Sequence, residues 1–447
     1  MNRSSSSAPI TLATAWLTPR RLRAQAILLA VCLWTVCAVN YSTPGLFDRA
    51  ANIKFQDFLP TYVSARLIAG HRTSELYDQL ATAGEMQVVL HETIENQPAT
   101  PLLPNLYGPQ VGLLFVPLAH FSFLAAARLW VTISLLIYFV CIFAVWQCCP
   151  NLRPYSALVA ISAIAYPPLF HFFVRGQLSA LLLACFTAAY LAFRSGKNFL
   201  AGIALGFLVF KPPFLVAIPL IFLLPLNWMP RRWRALGDKN ETSASIRERG
   251  NWPAFAGLVL SATAQLAFIA TFFGIAVTRA YLDTLWHASR WIGIVELSLA
   301  PIQMHSLRSF WSLLLPWPQV ALALYVLCSI VVIVVATTVW KSSGSLAIRF
   351  SALVLAAVLA NPHLFVYDLL VLAPVLLLLM DWALGHAESA SNDTLRLLLY
   401  LAFILPPLGP LSRWTHVQLS VPAFAVLLWI LWRNAKTPGH TQPASGG

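Results

Sequence analysis

Apolar runs of about 17–25 residues, the length that carries an α-helix across a bilayer core, recur along the whole of this 447-residue chain. Without water to satisfy backbone amides and carbonyls, only helices and closed barrels can span a membrane. A barrel would show short segments of alternating polarity, and the apolar runs here are continuous. The composition agrees. Hydrophobic residues make up 59% and charged residues 10% of the chain, whereas a water-exposed domain carries roughly 25% charged residues. The expected fold class is an all-α polytopic membrane protein forming one integral membrane domain over 1–447.

Twelve spans are predicted, at 22–40, 123–148, 155–173, 176–194, 198–211, 213–228, 253–275, 319–340, 347–361, 364–383, 395–411 and 418–433. The first follows Arg20, Arg21 and Arg23 and resembles a signal peptide, but no small-residue cleavage site follows it. It reads as an uncleaved first helix. The net charge of +13 invites a nucleic-acid reading, but basic residues gather in short loops, the pattern that orients a membrane protein. With the N-terminus cytoplasmic, Arg153, Arg194 with Lys197, Lys341, and Arg433 with Lys436 fall on the inner side. So does a basic loop at 229–252 containing Arg231, Arg232, Arg234, Lys239, Arg247 and Arg249. The stretch 107–121 is treated as re-entrant or as a lead-in to the next helix, because a full span there would put the basic loop outside. The expected location is a bacterial-type inner (plasma) membrane with both termini cytoplasmic. The seven cysteines lie within or beside spans without metal-ligand spacing, and read as small buried apolar residues.

This topology collects the remaining polar residues on the external side: Asp57, Arg66, Tyr107, Arg175, Gln177, Lys211, His287, Arg290, His305, Arg308, His363 and Arg413. Ionisable groups at a helix centre cost about 2.5–3.5 kcal/mol on insertion scales, so their gathering at one side predicts a wet cavity opening outward. Two external segments, 41–106 and 276–318, are expected to cover it. The first is predicted to hold amphipathic helices at the interface over Asp57–Ala69 and Leu76–His91. Lys211 sits where Pro212 and Pro213 force a helix break; it reads equally as a recessed cation for an anionic headgroup or as a snorkelling lysine. The tail 437–447 is polar and expected to be disordered.

Eight short segments, in order, resemble integral-membrane glycosyltransferases of family 87, of the GT-C superfamily. Asp57-Phe58 with Tyr62, Ser64-Ala65 and Gly70 is similar to the Asp-Phe segment after the first helix, and Leu76-Tyr77-Asp78 with Gln87 to the stretch beyond it. Asn105-Leu106-Tyr107-Gly108-Pro109 stands where a Tyr-Pro-Pro motif is common. Gly176-Gln177-Leu178-Ser179 resembles a Gly-Gln element opening a span, and Ala201-Gly202 to Lys211-Pro212 a short helix ending in Lys-Pro. Arg231 to Ala235 resembles the cytosolic turn that follows. Met304-His305-Ser306 falls where a Met-Gln-Ser segment occurs, and Asn361-Pro362-His363 with Tyr367-Asp368-Leu369-Leu370 resembles a late Pro-(Tyr/His)-x-x-x-Tyr-Asp-Leu motif.

The resemblance implies a GT-C-like bundle and transfer of a hexose, typically mannose, from a polyprenyl-phosphate donor to a lipid or glycan acceptor on the external face. It also implies a role in making cell-envelope glycolipids. Such a transfer needs a base for the acceptor hydroxyl and donors or cations for the departing phosphate. Asp57 is the candidate general base, giving inversion; its other reading is a helix N-cap. Lys211, Arg175, His363, His305 and Arg308 are the candidate phosphate contacts, since Arg forks onto phosphate oxygens and Lys acts as a point charge. The alternative for Lys211, Arg175 and His363 is interfacial anchoring; His305 and Arg308 could instead reach the acceptor, and His305 reads otherwise as a solvated loop histidine. Tyr107, Gln177 and Arg66 are candidate sugar or acceptor contacts. Asp368 is expected to orient His363, about one helical turn away, or to pair with an unrelated cation. No metal ligands are assigned, no other cofactor is implied, and metal dependence stays open. The alternative functions are a transporter or flippase for a glycan or lipid-linked sugar, which would favour broken, repeat-related helices, and an O-antigen polymerase or ligase.

Overall fold

A computed structural model describes residues 16–91, 105–224, 251–299, 303–386 and 390–435. Side chains at 91, 288–299, 390 and 391 are not described. Among the described residues the fold is all-α, with no strand and two isolated bridges, Phe47 to Ile53 and Met304 to Phe365. Thirteen of its helices carry the argument: α1 Pro19–Tyr41, α2 Leu59–Ala69, α3 Gln79–His91, α4 Phe123–Trp146, α5 Pro167–Arg175, α6 Ser179–Arg194, α7 Asn198–Gly206, α8 Trp252–Phe272, α9 Ile275–Leu299, α10 Pro318–Trp340, α11 Leu346–Leu359, α12 Leu372–Gly385 and α13 Ser420–Asn434.

The helices start where local chemistry dictates. Pro19, Pro167 and Pro318 occupy first-turn positions that need no amide donor. Thr18, Asn251 and Ser345 accept bonds of 3.4 Å each from Arg21 N, Ala254 N and Ile348 N, satisfying amides left without an intrahelical acceptor.

Among the described residues, six helical segments are long and apolar enough to cross a membrane: Pro19–Tyr41, Phe123–Trp146, Pro150–Arg175, Trp252–Phe272, Pro318–Trp340 and Val366–Gly385. The pair Asn392–Ile404 and Pro406–Thr415, bent by 69°, raises the number to seven if it counts as one span. Five further apolar helices, Ser179–Arg194, Asn198–Phe210, Pro212–Leu223, Leu346–Leu359 and Ser420–Asn434, have 10–17 residues. The predicted twelve segments therefore fall on apolar helices, but only six or seven reach crossing length. Of the short ones, α11 is clad by protein. From Ser351 to Leu359 every side chain of α11 is buried, so this helix packs at the centre of the bundle. The outer helices present Leu136, Val140 and Phe143 on α4 and Leu322, Val326 and Ile330 on α10, the apolar exterior expected of lipid-facing helices. Of the cysteines, all free, Cys32 faces outward from α1 and the other six are buried or half-buried.

Small residues bring α7 and α8 into backbone contact. A methyl group at Gly202 would lie 1.9 Å from the Ala254 carbonyl oxygen, and one at Gly257 would lie 2.1 Å from that of Phe199. Such close approach is the packing that small-residue spacing permits between apolar helices.

The bundle has two chemically distinct ends. Trp34 Nε1 donates 3.0 Å to the Ile164 carbonyl, and the Tyr41 hydroxyl donates to that of Val174. The chain 150–175 therefore runs parallel to α1, placing Tyr41 and Arg175 at one end. Ser179 opens α6 there, and Asp368 precedes α12 there, joined by a 2.7 Å bond. At the far end of α12, Asp381 accepts from Asn151 N at 2.7 Å and Leu152 N at 3.2 Å. Arg153, Arg194, Lys341 and Arg433 belong to this second end, where Lys341 Nζ donates to the Leu224 carbonyl.

The first external segment departs from expectation. Every residue of α2 except Arg66 and Ala69 is buried, so it packs inside the protein and not along a lipid interface. Its apolar residues and Tyr62 meet Phe58, Phe115 and Phe123, and the Tyr62 hydroxyl donates 2.6 Å to the Phe121 carbonyl. The stretch 107–121 holds only the short helices Pro109–Leu114 and Val116–His120, a lead-in to α4. Except for its last two positions, the basic loop at 229–252 lies outside the described residues, as do Lys436, the 437–447 tail and the Arg290 side chain.

Candidate active site

Two left-handed residues shape the site. Phe55, at φ 57°, turns the chain into the 3₁₀ turn Gln56–Phe58 that carries Asp57. Gly176, at φ 70°, ends α5 and turns the chain toward Gln177. A Cβ at position 176 would lie 3.0 Å from Phe55 Cβ and 3.3 Å from Phe58 Cβ. Glycine adopts this conformation without steric cost, and its missing side chain lets the two turns touch. Trp130 Nε1 donates 3.2 Å to the Gly176 carbonyl from the α4 side.

Across this contact Gln177 Nε2 donates 2.7 Å to Asp57 Oδ2. Gln177 Oε1 accepts from the Tyr107 hydroxyl at 3.2 Å and from the Leu178 amide at 3.4 Å. The Asp57 side chain caps neither its own turn nor α2. Asp57 is half-buried. Burial pushes its carboxyl above the ordinary carboxylate value, opposed by the Arg175 charge, by side-chain hydrogen bonds from Gln177 and Gln56, and by the Lys211 charge. Burial drives the Tyr107 phenol far above its ordinary range, with the Asp368 and Asp57 charges acting in the same direction. Tyr107 thus remains a hydroxyl donor.

Beside this trio lies a buried ion pair. Lys211, 7% exposed, sits at the break between two 3₁₀ turns, Phe207–Phe210 and Pro212–Leu215. Its Nζ donates to Oδ1 of Asp368, which is 0% exposed. Ser179 Oγ donates 2.7 Å to the same oxygen, and Asp368 Oδ2 is buried with no hydrogen-bond partner. The Tyr367 ring lies 5.4 Å from Lys211 Nζ. Arg175 is half-buried and acts electrostatically on Asp57 without forming an ion pair with any described carboxylate.

The structure therefore gathers Asp57, Gln177, Tyr107, Arg175, Lys211 and Asp368 into one cluster. The other candidates have different immediate partners. Arg66 Nε binds Glu85 Oε1 at 2.8 Å, and Glu85 also holds Arg72 at 2.8 Å, so Arg66 belongs to an ionic network tying α2 to α3. His305 is 1% exposed, with Nδ1 2.7 Å from Ser420 Oγ and its backbone N–H donating to the Leu364 carbonyl. Burial pushes its imidazole down to about 3, with His171 contributing, so it is a neutral packing group. Arg308 is half-buried near Tyr325, and His363 stacks edge-on against Phe365 with ring centroids 5.1 Å apart. Asp368 binds Lys211 and Ser179, so of its two expected roles the structure shows the pairing with a cation and not the one with His363. His287 and Arg413 are exposed.

Ser179, Tyr367, Gln56 and Phe55 join the cluster without having been singled out by sequence reasoning. Ser179 and Tyr367 stood inside motifs already noted, so proximity in those motifs was the available signal. Nothing in the sequence announces a left-handed phenylalanine. Among the described residues, no three His, Cys, Asp or Glu side chains converge as a metal-binding group.

A helical membrane bundle with a carboxylate, cations and hydrogen-bonding groups gathered at one end has the parts of a group-transfer site. The family model of glycosyltransferase family 87 matches residues 105–238, a stretch that contains Tyr107, Arg175, Gln177, Ser179 and Lys211. That match supports assigning the chain to glycosyltransferase family 87, and with it to the glycosyltransferases. Neither the curated proteins nor the solved structures gave a match.

Proposed function

We propose that this chain transfers a hexose, with mannose as first choice, from a polyprenyl-phosphate donor to a hydroxyl of a lipid or glycan acceptor. The reaction takes place at the external face of a bacterial-type inner membrane, in cell-envelope glycolipid synthesis. Asp57 removes the acceptor proton as that oxygen attacks the anomeric carbon from the side opposite the phosphate. The bond from carbon to phosphate oxygen breaks, its electron pair leaves with the lipid phosphate, and the configuration inverts.

The observation that carries this reading is the placing of Asp57 beside Arg175. The carboxylate is half-buried and hydrogen-bonded by Gln177 and Gln56, while the nearby guanidinium has no carboxylate partner among the described residues. A base and an anion clamp set side by side are what the reaction asks for. Arg175 leads the phosphate set because its fork is uncommitted. Lys211 has given one N–H to Asp368 and retains two donors. The external placement is supported by the clustering of Arg153, Arg194, Lys341 and Arg433 at the opposite end, since basic residues favour the cytoplasmic side.

The test is transfer by purified protein from labelled polyprenyl-phosphate mannose to a membrane-lipid acceptor extract. D57N and D57A should abolish glycoside formation while the protein remains folded. Near-normal product from D57N would remove Asp57 as base. Lipid movement without glycoside formation would instead favour a flippase.

A further inference from the structure

Resting on that reading, we infer that Gln177 is a positioning residue for Asp57. Locked by Tyr107 and the Leu178 amide, it occupies one carboxylate oxygen and turns the other toward the acceptor hydroxyl. This role differs from the sugar contact expected of both side chains.

The hydrogen-bond pattern allows only one orientation of the Gln177 amide. Leu178 N–H can only donate, and it faces Oε1 at 3.4 Å. An ionised carboxylate can only accept, and it faces Nε2 at 2.7 Å. Rotating the amide by half a turn would set donor against donor at Leu178 and acceptor against acceptor at Asp57. Tyr107 adds its hydroxyl at 3.2 Å to Oε1, and a donor on the amide oxygen strengthens the amide N–H as a donor in turn. Gln177 is 7% exposed, so water competes weakly for either group. The arrangement is a chain, Tyr107 to Gln177 to Asp57, that ends on a single carboxylate oxygen.

The consequence for proton transfer is directional. Gln177 Nε2 donates to Oδ2 and takes up one of its lone pairs, so the hydrogen leaving the acceptor is directed toward Oδ1. The bond also favours the ionised form of Asp57, offsetting part of the burial that disfavours it. The charged and titratable groups around Asp57 are Arg175, Lys211, Tyr107, Tyr367 and Asp368, together with the neutral donors Gln56 and Gln177. Gln56 and the Tyr107–Gln177 chain can each be cut without changing charge, and only the latter couples two side chains to Asp57.

Two readouts test the role. One is pH-titrated infrared difference spectroscopy of the detergent-purified full chain, with D57N as the reference that isolates the Asp57 carboxyl band. The other is the pH profile of transfer from labelled polyprenyl-phosphate mannose. Q177M keeps the volume and removes the donor, and Y107F removes only the hydroxyl. Both should move the Asp57 titration to higher pH, Q177M further. On the acid limb, transfer by Q177M should fall roughly tenfold, the scale of one lost hydrogen bond to a charged group, and recover as pH rises. An unmoved titration, with transfer lowered equally at all pH values, would overturn the proposal and return both side chains to sugar contacts. If Q177M does not fold, Y107F decides alone. A shifted titration combined with an active D57N would leave the positioning intact and remove the base, so the two failures are distinguishable.

Discussion

Phe55 and Gly176 lie against each other, each in the left-handed region, at φ 57° and φ 70°. Their contact sets Asp57 one turn from Gln177. Forcing a non-glycine residue into that conformation costs about 1–2 kcal/mol, and Phe55 already bears this cost. G176A adds it a second time and drives a methyl to 3.0 Å from Phe55 Cβ. The variant should lose most transfer while thermal unfolding in detergent shows only a modest fall, because the displaced element is the turn that carries Asp57.

The pH dependence of the reaction follows from the same turn. Asp57 acts as base only when ionised, and burial raises its carboxyl above the ordinary value. The rate should therefore rise with pH through a limb lying above the usual aspartate range, measured as initial transfer rate across buffers at fixed ionic strength. The sign for stability is opposite. A carboxyl that holds its proton more tightly when folded stabilises the fold below the unfolded value and loses that contribution as pH rises through the folded one. D57N, permanently neutral, should thus be inactive yet at least as heat-stable as the parent at neutral pH. A clear loss of stability there would mean that burial does not dominate at this carboxyl.

Lys211 and Asp368 form a buried pair whose removal in part should be worse than removal in full. Deleting one partner strands a charge, which costs about 3–5 kcal/mol. D368A leaves the ammonium without its carboxylate, and K211M leaves Asp368 with only Ser179. The double variant K211M/D368N should recover much of the lost thermal stability without recovering transfer. Equal stability of single and double variants would show that the two groups are not coupled in the fold.

How much of this was readable beforehand differs by level. Helix existence followed from long apolar runs, because burial of a continuous apolar surface leaves the backbone few choices. Crossing length did not, since α11 is a short helix sheltered by neighbours that no local pattern names. The same shelter hid the burial of α2, whose Thr61, Ser64 and Arg66 gave it the polarity of a surface helix. At the site, Asp57, Arg175, Gln177, Tyr107, Lys211 and Asp368 were identifiable because polar residues beside apolar spans are costly and few. Their pairing was not. Asp368 joined Lys211 across 157 positions in preference to its sequence neighbour His363, and His305 turned inward to Ser420. Those choices depend on which helix ends share a layer, a property of the packed bundle and not of any window of sequence.

Glycines provide the last contrast, because two of them differ only in what surrounds them. Gly202 lies where α7 presses on α8, and a methyl there would sit 1.9 Å from the Ala254 carbonyl oxygen. That atom belongs to backbone and cannot swing aside, so G202A must part the two helices. Overpacking of this kind costs about 1–3 kcal/mol. Gly84, in the middle of the half-buried α3, has no atom within 4 Å of an added Cβ. There the substitution removes glycine's entropic penalty in a helix, a gain of about 0.5–1 kcal/mol. Thermal unfolding of the purified variants in detergent should therefore move in opposite directions, down for G202A and slightly up for G84A. If G202A instead matched the parent, α7 and α8 would have to stand further apart than the bundle described here allows.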